Sequence, residues 1–150
     1  MKRTGTIGLL LATAMLGCGG DDSAKFVGAW AYASSAGVAV SCGGTMFTAP
    51  LGTVVETFTE SGGLLVKNDS QGCTGLTFVA NGSVASLRGA GQSCTIPATA
   101  MSPSALFAPS EYTFTLSPDG GSLTAAVTAS YTPSGSSACT VSGSNTLTRK

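Results

Sequence analysis

Between Phe26 and Arg149 the large side chains recur on every second residue, and Gly, Asn, Pro or Ser ends each run before a helical period can develop. Such alternation places one set of side chains on one face of a strand. Tyr112, Phe114 and Leu116 share a parity, Pro118-Asp119-Gly120 turns the chain, and Leu123, Ala125, Val127 and Ala129 run back. That hairpin sets Leu116 opposite Leu123 and Phe114 opposite Ala125. Asn81-Gly82 stands between Leu76-Thr77-Phe78-Val79 and the run from Val84 to Arg88. Read as a two-residue turn, it sets Phe78 opposite Ala85 and Leu76 opposite Leu87.

The remaining chain follows the same rhythm. Phe26, Trp30 and Tyr32 share one face of a first strand, which Val38, Val40 and Cys42 continue. Residues 43–52, with Pro50, read as a loop, and 53–60 as a strand turned by Ser61-Gly62-Gly63 into a partner that presents Leu64 and Val66. The last strand, 138–148, turns Cys139, Val141 and Leu147 inward, and 131–137 precede it as a loop. Residues 89–110, with Pro97, Pro103 and Pro109, break the pattern, and a connection of that length is either functional or mobile. About eight short strands joined by hairpins predict an all-β fold, an antiparallel up-and-down barrel, with a β-sandwich as the alternative.

Charge placement adds one expectation. Glu56 shares a parity with Val54 and Phe58, so either an acid sits inside the barrel or that face looks outward. The expected arrangement is the second, with Thr53, Val55 and Thr57 inside, because a buried carboxylate is costly.

Residues 1–17 differ from the rest. Lys2 and Arg3 precede an apolar run, Ile7 to Leu16, too short to span a bilayer, which takes about 20 residues. The run ends in Met15-Leu16-Gly17-Cys18. This resembles the lipobox of bacterial lipoproteins, with Met15 and Leu16 where that family favours Leu and then a small or β-branched residue. The resemblance implies a signal peptide over 1–17 and acylation at Cys18; composition and the remaining length then read as a short polar tether over 18–25 and a single domain over 26–150. An ordinary secretory leader cut elsewhere is the alternative. Gly19 is not the aspartate that retains enteric lipoproteins at the inner membrane, so the expected location is the outer membrane, on its periplasmic or cell-surface face. The chain as a whole resembles the small cysteine-containing lipoproteins of myxobacteria and their relatives.

Loss of the leader removes two of seven cations and none of seven anions, leaving a mildly acidic, charge-poor domain. Phosphate recognition needs a basic stripe, so no nucleic-acid partner is expected. The chain has no histidine, the usual general base and a common zinc ligand. Four cysteines remain after Cys18, and an even number in an exported chain reads as two disulfides, since four-cysteine zinc sites come as close pairs. No metal and no cofactor is expected.

Phe26-x-Gly28-x-Trp30 resembles the signature that opens lipocalin and other calycin barrels. The resemblance implies a structural role for Trp30 beneath a basic residue from the end of the chain, here Arg149. Closure of the barrel then suggests Cys73–Cys94, flanking the Asn81-Gly82 hairpin, and Cys42–Cys139, joining the first and last strand regions.

For function, the serines lack a histidine to activate them, Lys25 or Lys67 would serve a Ser–Lys dyad only in principle, and Gly89-Ala90-Gly91 lacks the strand–helix setting of a phosphate loop. No catalytic residue is assigned and no enzyme is expected. One expectation is a tethered, monomeric binding module whose barrel takes a small apolar ligand or a peptide. Trp30, Tyr32, Phe78, Tyr112 and Phe114 would line it, and Ile96, Met101 and Phe107 would lie in a lid over 89–110. In the other, the same rings fill the core and the module docks on an envelope protein or plays a structural or inhibitory part.

Overall fold

The structure is a computed structural model, and it describes residues 22–150. Leader, lipobox and Cys18 lie outside the described residues. A 3-10 turn, Asp22–Lys25, precedes eleven strands: β1 Gly28–Tyr32, β2 Gly37–Cys42, β3 Thr45–Pro50, β4 Val55–Ser61, β5 Leu64–Asp69, β6 Thr74–Asn81, β7 Val84–Leu87, β8 Cys94–Ile96, β9 Ala105–Leu116, β10 Ser122–Pro133 and β11 Cys139–Arg149. Eight of them close an antiparallel barrel in the order β1-β4-β5-β6-β7-β9-β10-β11, with β11 pairing back onto β1. It is the all-β, up-and-down, eight-stranded barrel that the alternation implied.

Eight strands enclose a space just wide enough for side chains to fill. Here Trp30, Phe58, Phe78, Phe114, Leu65, Leu76, Leu123 and Leu147 fill it, each less than 2 % exposed. Phe114 packs edge-on against Phe58 and Phe78, with centroids 4.8 and 5.4 Å apart.

The two ends of the barrel differ. At one end lie the turns after β4, β6 and β9, the start of β1 and the end of β11. Asp22 Oδ2 accepts from the Gly82 amide at 2.8 Å and ties the 3-10 turn to this end. The Trp30 indole donates to Phe26 O at 2.8 Å, and Arg149 lies 4.4 Å over its ring while donating to Val27 O and Lys25 O at 3.0 and 2.9 Å. Gly28 has φ of 131°, a conformation that favours glycine, and a Cβ there would stand 3.2 Å from Arg149 Nη1, so the guanidinium would have to shift slightly to admit a larger residue.

At the other end β9, β10 and β11 run beyond their neighbours. β8 pairs with the start of β9, and β2 pairs with the start of β11 (Ser41 opposite Thr140), with β3 outside it. Val38, Val40, Ala129, Cys139 and Val141 form a second apolar cluster in this extension. The Cys42–Cys139 and Cys73–Cys94 disulfides expected from closure are both present.

Four expectations need correction. Residues 43–52 are mostly strand and not a loop: Gly43 and Gly44, with φ of 55° and 88°, turn β2 into β3, which runs to Pro50. Residues 89–110 and 131–137 are likewise partly strand, since β8 forms, β9 begins at Ala105 and β10 runs to Pro133. The hairpin after β6 turns on Gly82-Ser83, with Phe78 opposite Leu87 and Ala80 opposite Ala85. Gly82 takes φ of 61° and, among the described residues, no non-glycine residue has positive φ, so Asn81 stays in the ladder. Lastly, β4 and β5 face the opposite way: Val54, Glu56 and Phe58 are buried, and so are Leu65 and Lys67, while Leu64 and Val66 are half-buried.

Candidate functional site

The reversed parity of β4 and β5 brings charge into the barrel. The hairpin sets Glu56 opposite Asp69 and Phe58 opposite Lys67, so Glu56 and Lys67 are diagonal neighbours on the inner face. The Lys67 ammonium stands 2.7 Å from Glu56 Oε2 and donates to Asp69 Oδ2 at 3.4 Å. The Lys67 and Glu56 side chains are 2 % and 3 % exposed.

Two phenols complete the group, one from the neighbouring strand β1 and one from β9 across the barrel. Tyr32, at the end of β1, donates to Glu56 Oε1 at 3.1 Å, and Tyr112, on β9, donates to the same oxygen at 3.2 Å. The two hydroxyls are 3.5 Å apart. Glu56 Oε1 thus has two hydroxyl donors, whereas the ion pair with Lys67 serves Oε2, which accepts no hydrogen bond of regular geometry. Lys67 Nζ also lies 5.4 Å from the centre of the Tyr112 ring. Phe78 and Phe114 pack on that ring at 5.6 and 4.7 Å. Asp69 is held from its other side, its Oδ1 accepting from the Gln71 and Cys73 amides at 2.9 and 3.0 Å.

Burial sets the protonation of this group. It raises the Glu56 pKa above the usual carboxylate value, and the Lys67 charge opposes the rise. Burial, and then the charge of Glu56, hold Tyr32 and Tyr112 well above the usual phenol range, so both stay donors. Among the described residues, no group of three or more His, Cys, Asp or Glu is placed to hold a metal ion.

The residues considered for ligand binding separate by location. Trp30, Tyr32, Phe78, Tyr112 and Phe114 are buried together in the main core. Ile96 and Phe107 are partly buried against it, on β8 and β9. Met101 is 93 % exposed near the Thr99–Ser102 bridge, so residues 89–110 do not carry it inward as a lid lining. Outside the barrel an open groove of about 610 Å³ crosses β7, β9, β10 and β11 and is walled by small side chains such as Ser86, Thr113, Ala126 and Ser142.

Among the described residues β3 forms the free edge of the extension, with β2 as its strand partner. Phe47 lies opposite the buried Val40 and is 52 % exposed, while Met46 is 72 % exposed. The bond from Leu51 N to Ala36 O fixes the pairing phase. In that phase Phe47 and Ala49 bond to β2, and the backbone groups of Met46 and Thr48 point off the edge.

The sequence left an inward Glu56 as the less favoured reading, and gave no expectation of Lys67 beside it or of the edge strand β3. For the interior a signal existed: with a Gly62-Gly63 turn, Glu56 and Lys67 fall diagonally on one face. Against protein-family models, curated proteins and solved structures alike, the chain finds no match.

Proposed function

We propose that the chain is a lipid-anchored envelope module that works by docking, with β3 accepting an extended segment of another envelope protein as an added strand. The observation that carries this reading is the half-exposed Phe47 on a free strand edge, beside outward-pointing backbone groups at Met46 and Thr48. Unpaired edges are sites of strand addition, where backbone hydrogen bonds supply affinity and alternate side chains supply selectivity. The filled interior supports docking over carriage of an apolar ligand, because the rings that would line a cavity pack on one another.

Placement of the tether agrees. The chain enters at the barrel end that holds Asp22–Lys25, and β2–β3 projects from the opposite end. Acylation at Cys18 would set the first end on the membrane and present the edge away from it. Hydrogen exchange, measured on the anchored protein in outer-membrane fragments and on the purified protein, tests the reading. Docking by strand addition slows exchange at the Met46 and Thr48 amides in the membrane sample, and Phe47→Asp removes the effect. Equal exchange in the two samples, or stoichiometric uptake of a fluorescent lipid by the purified protein, would overturn it.

A further inference from the structure

The interior charge cluster has the parts of an acyl-transfer centre, and docking makes no use of them. A primary amine, Lys67 Nζ, sits 2.7 Å from Glu56 Oε2. Two hydroxyls, from Tyr32 and Tyr112, donate to the other oxygen of that carboxyl at 3.1 and 3.2 Å. A second carboxylate, Asp69, is in reach of the amine at 3.4 Å and is anchored independently through its Oδ1. Reactive groups are thus held in contact, and aromatic rings and apolar side chains surround them.

The geometry points to an intramolecular amide between Lys67 and Glu56, formed by the folded chain on itself. Asp69 Oδ2 takes a proton from the ammonium, and the neutral amine attacks Glu56 Cδ. Negative charge then develops on Oε1, where the Tyr32 and Tyr112 hydroxyls already point, an arrangement equivalent to an oxyanion hole. Two of the three Nζ protons leave with Oε2 as water, one carried by Asp69, and the third stays on the amide nitrogen. Ammonium and carboxylate give amide and water, so no oxidant, metal or further reactant is needed.

Two physical terms favour the step. Holding amine and carboxyl in contact replaces an encounter between free groups by a unimolecular event. Condensation also removes two buried charges whose loss of hydration is a standing cost, and the water formed leaves a site that holds ions poorly. Burial raises the Glu56 pKa, which eases the arrival on Oε2 of the Nζ proton that Asp69 carries, and that proton leaves in the water. Asp69 keeps its bonds to the Gln71 and Cys73 amides after the reaction and is not orphaned.

Intact mass of the folded full chain, after reduction and alkylation of its cystines and with any acyl groups accounted for, tests the proposal directly. The expected mass is one water below that of the open chain, and peptide mapping gives a branched peptide joining the Glu56 and Lys67 segments. Lys67→Met restores the full mass for its sequence. In chain refolded after synthesis in denaturant, Tyr32→Phe or Tyr112→Phe slows the loss of water by about 100-fold, as removal of an oxyanion donor does. Asp69→Asn slows it too, in a protein that still folds. A folded wild-type chain at full mass, or a branch from Lys67 to Asp69, would overturn the assignment.

Discussion

Arg149 stacks 4.4 Å over the Trp30 ring and, with the same guanidinium, donates to the carbonyls of Val27 and Lys25. One residue near the end of the last strand thereby fastens the first strand and the turn before it. A cation over indole contributes about 0.5–2 kcal/mol, the larger figure when desolvated, and Arg149 is partly solvated. Arg149→Ala is therefore expected to lower unfolding stability by about 2 kcal/mol once the two hydrogen bonds are included. Urea denaturation with both cystines intact measures it. Gly28→Ala should lower stability as well, because alanine resists φ of 131° and its Cβ meets Arg149.

In the open chain, before any condensation, Glu56 and Lys67 should be far more damaging to change singly than together. Lys67→Met leaves a buried carboxylate without its cation, and loss of one partner of a buried pair costs about 3–5 kcal/mol. Glu56→Gln/Lys67→Met removes both charges and should recover most of that loss. A double-mutant cycle by urea denaturation reads the coupling, and additive losses would mean that the two side chains do not interact.

Tyr32 and Tyr112 stay protonated beyond the pH at which a free phenol titrates, about 10. The sign follows from linkage: with folded pKa values above the unfolded one, the native state binds more protons at alkaline pH. The resulting stability is fully present below pH about 10 and is lost as pH rises toward the folded values. Alkaline difference absorbance should show phenolate from these two residues appearing together with unfolding. Phenolate from all three tyrosines in the native state would contradict the buried cluster.

Of the two cystines, Cys42–Cys139 spans 97 residues and Cys73–Cys94 spans 21. If the chief effect is on the unfolded chain, the longer loop contributes more, about 4–5 kcal/mol against about 3. Cys42→Ala/Cys139→Ala should accordingly lower the urea midpoint more than Cys73→Ala/Cys94→Ala does. It should also raise exchange in β2 and β3, which that bridge ties to β11.

The barrel was legible in the sequence because most strands carry apolar residues on one parity alone. Leu116 opposite Leu123 and Phe114 opposite Ala125 follow directly from that. The exception was the β4–β5 hairpin, where Leu64, Leu65 and Val66 put apolar side chains on both parities and the charges had to decide. Glu56 and Lys67, taken one at a time, each belong in water. Only as a pair do they fit inside, and pairing is a tertiary event that a strand-by-strand reading does not contain. β3 was hidden for a related reason: Thr45–Pro50 is exposed along almost its whole length and shows no one-sided alternation. The turn after β6 was misplaced by one residue because Gly82, not Asn81, supplies the positive φ.

The proposed docking role rests on a filled barrel, with its working surface on the outside. Native mass spectrometry of the protein extracted from its own membrane tests that most directly. The expected species is the bridged chain with its acyl groups and no other small molecule. A stoichiometric apolar ligand retained on the chain would contradict it.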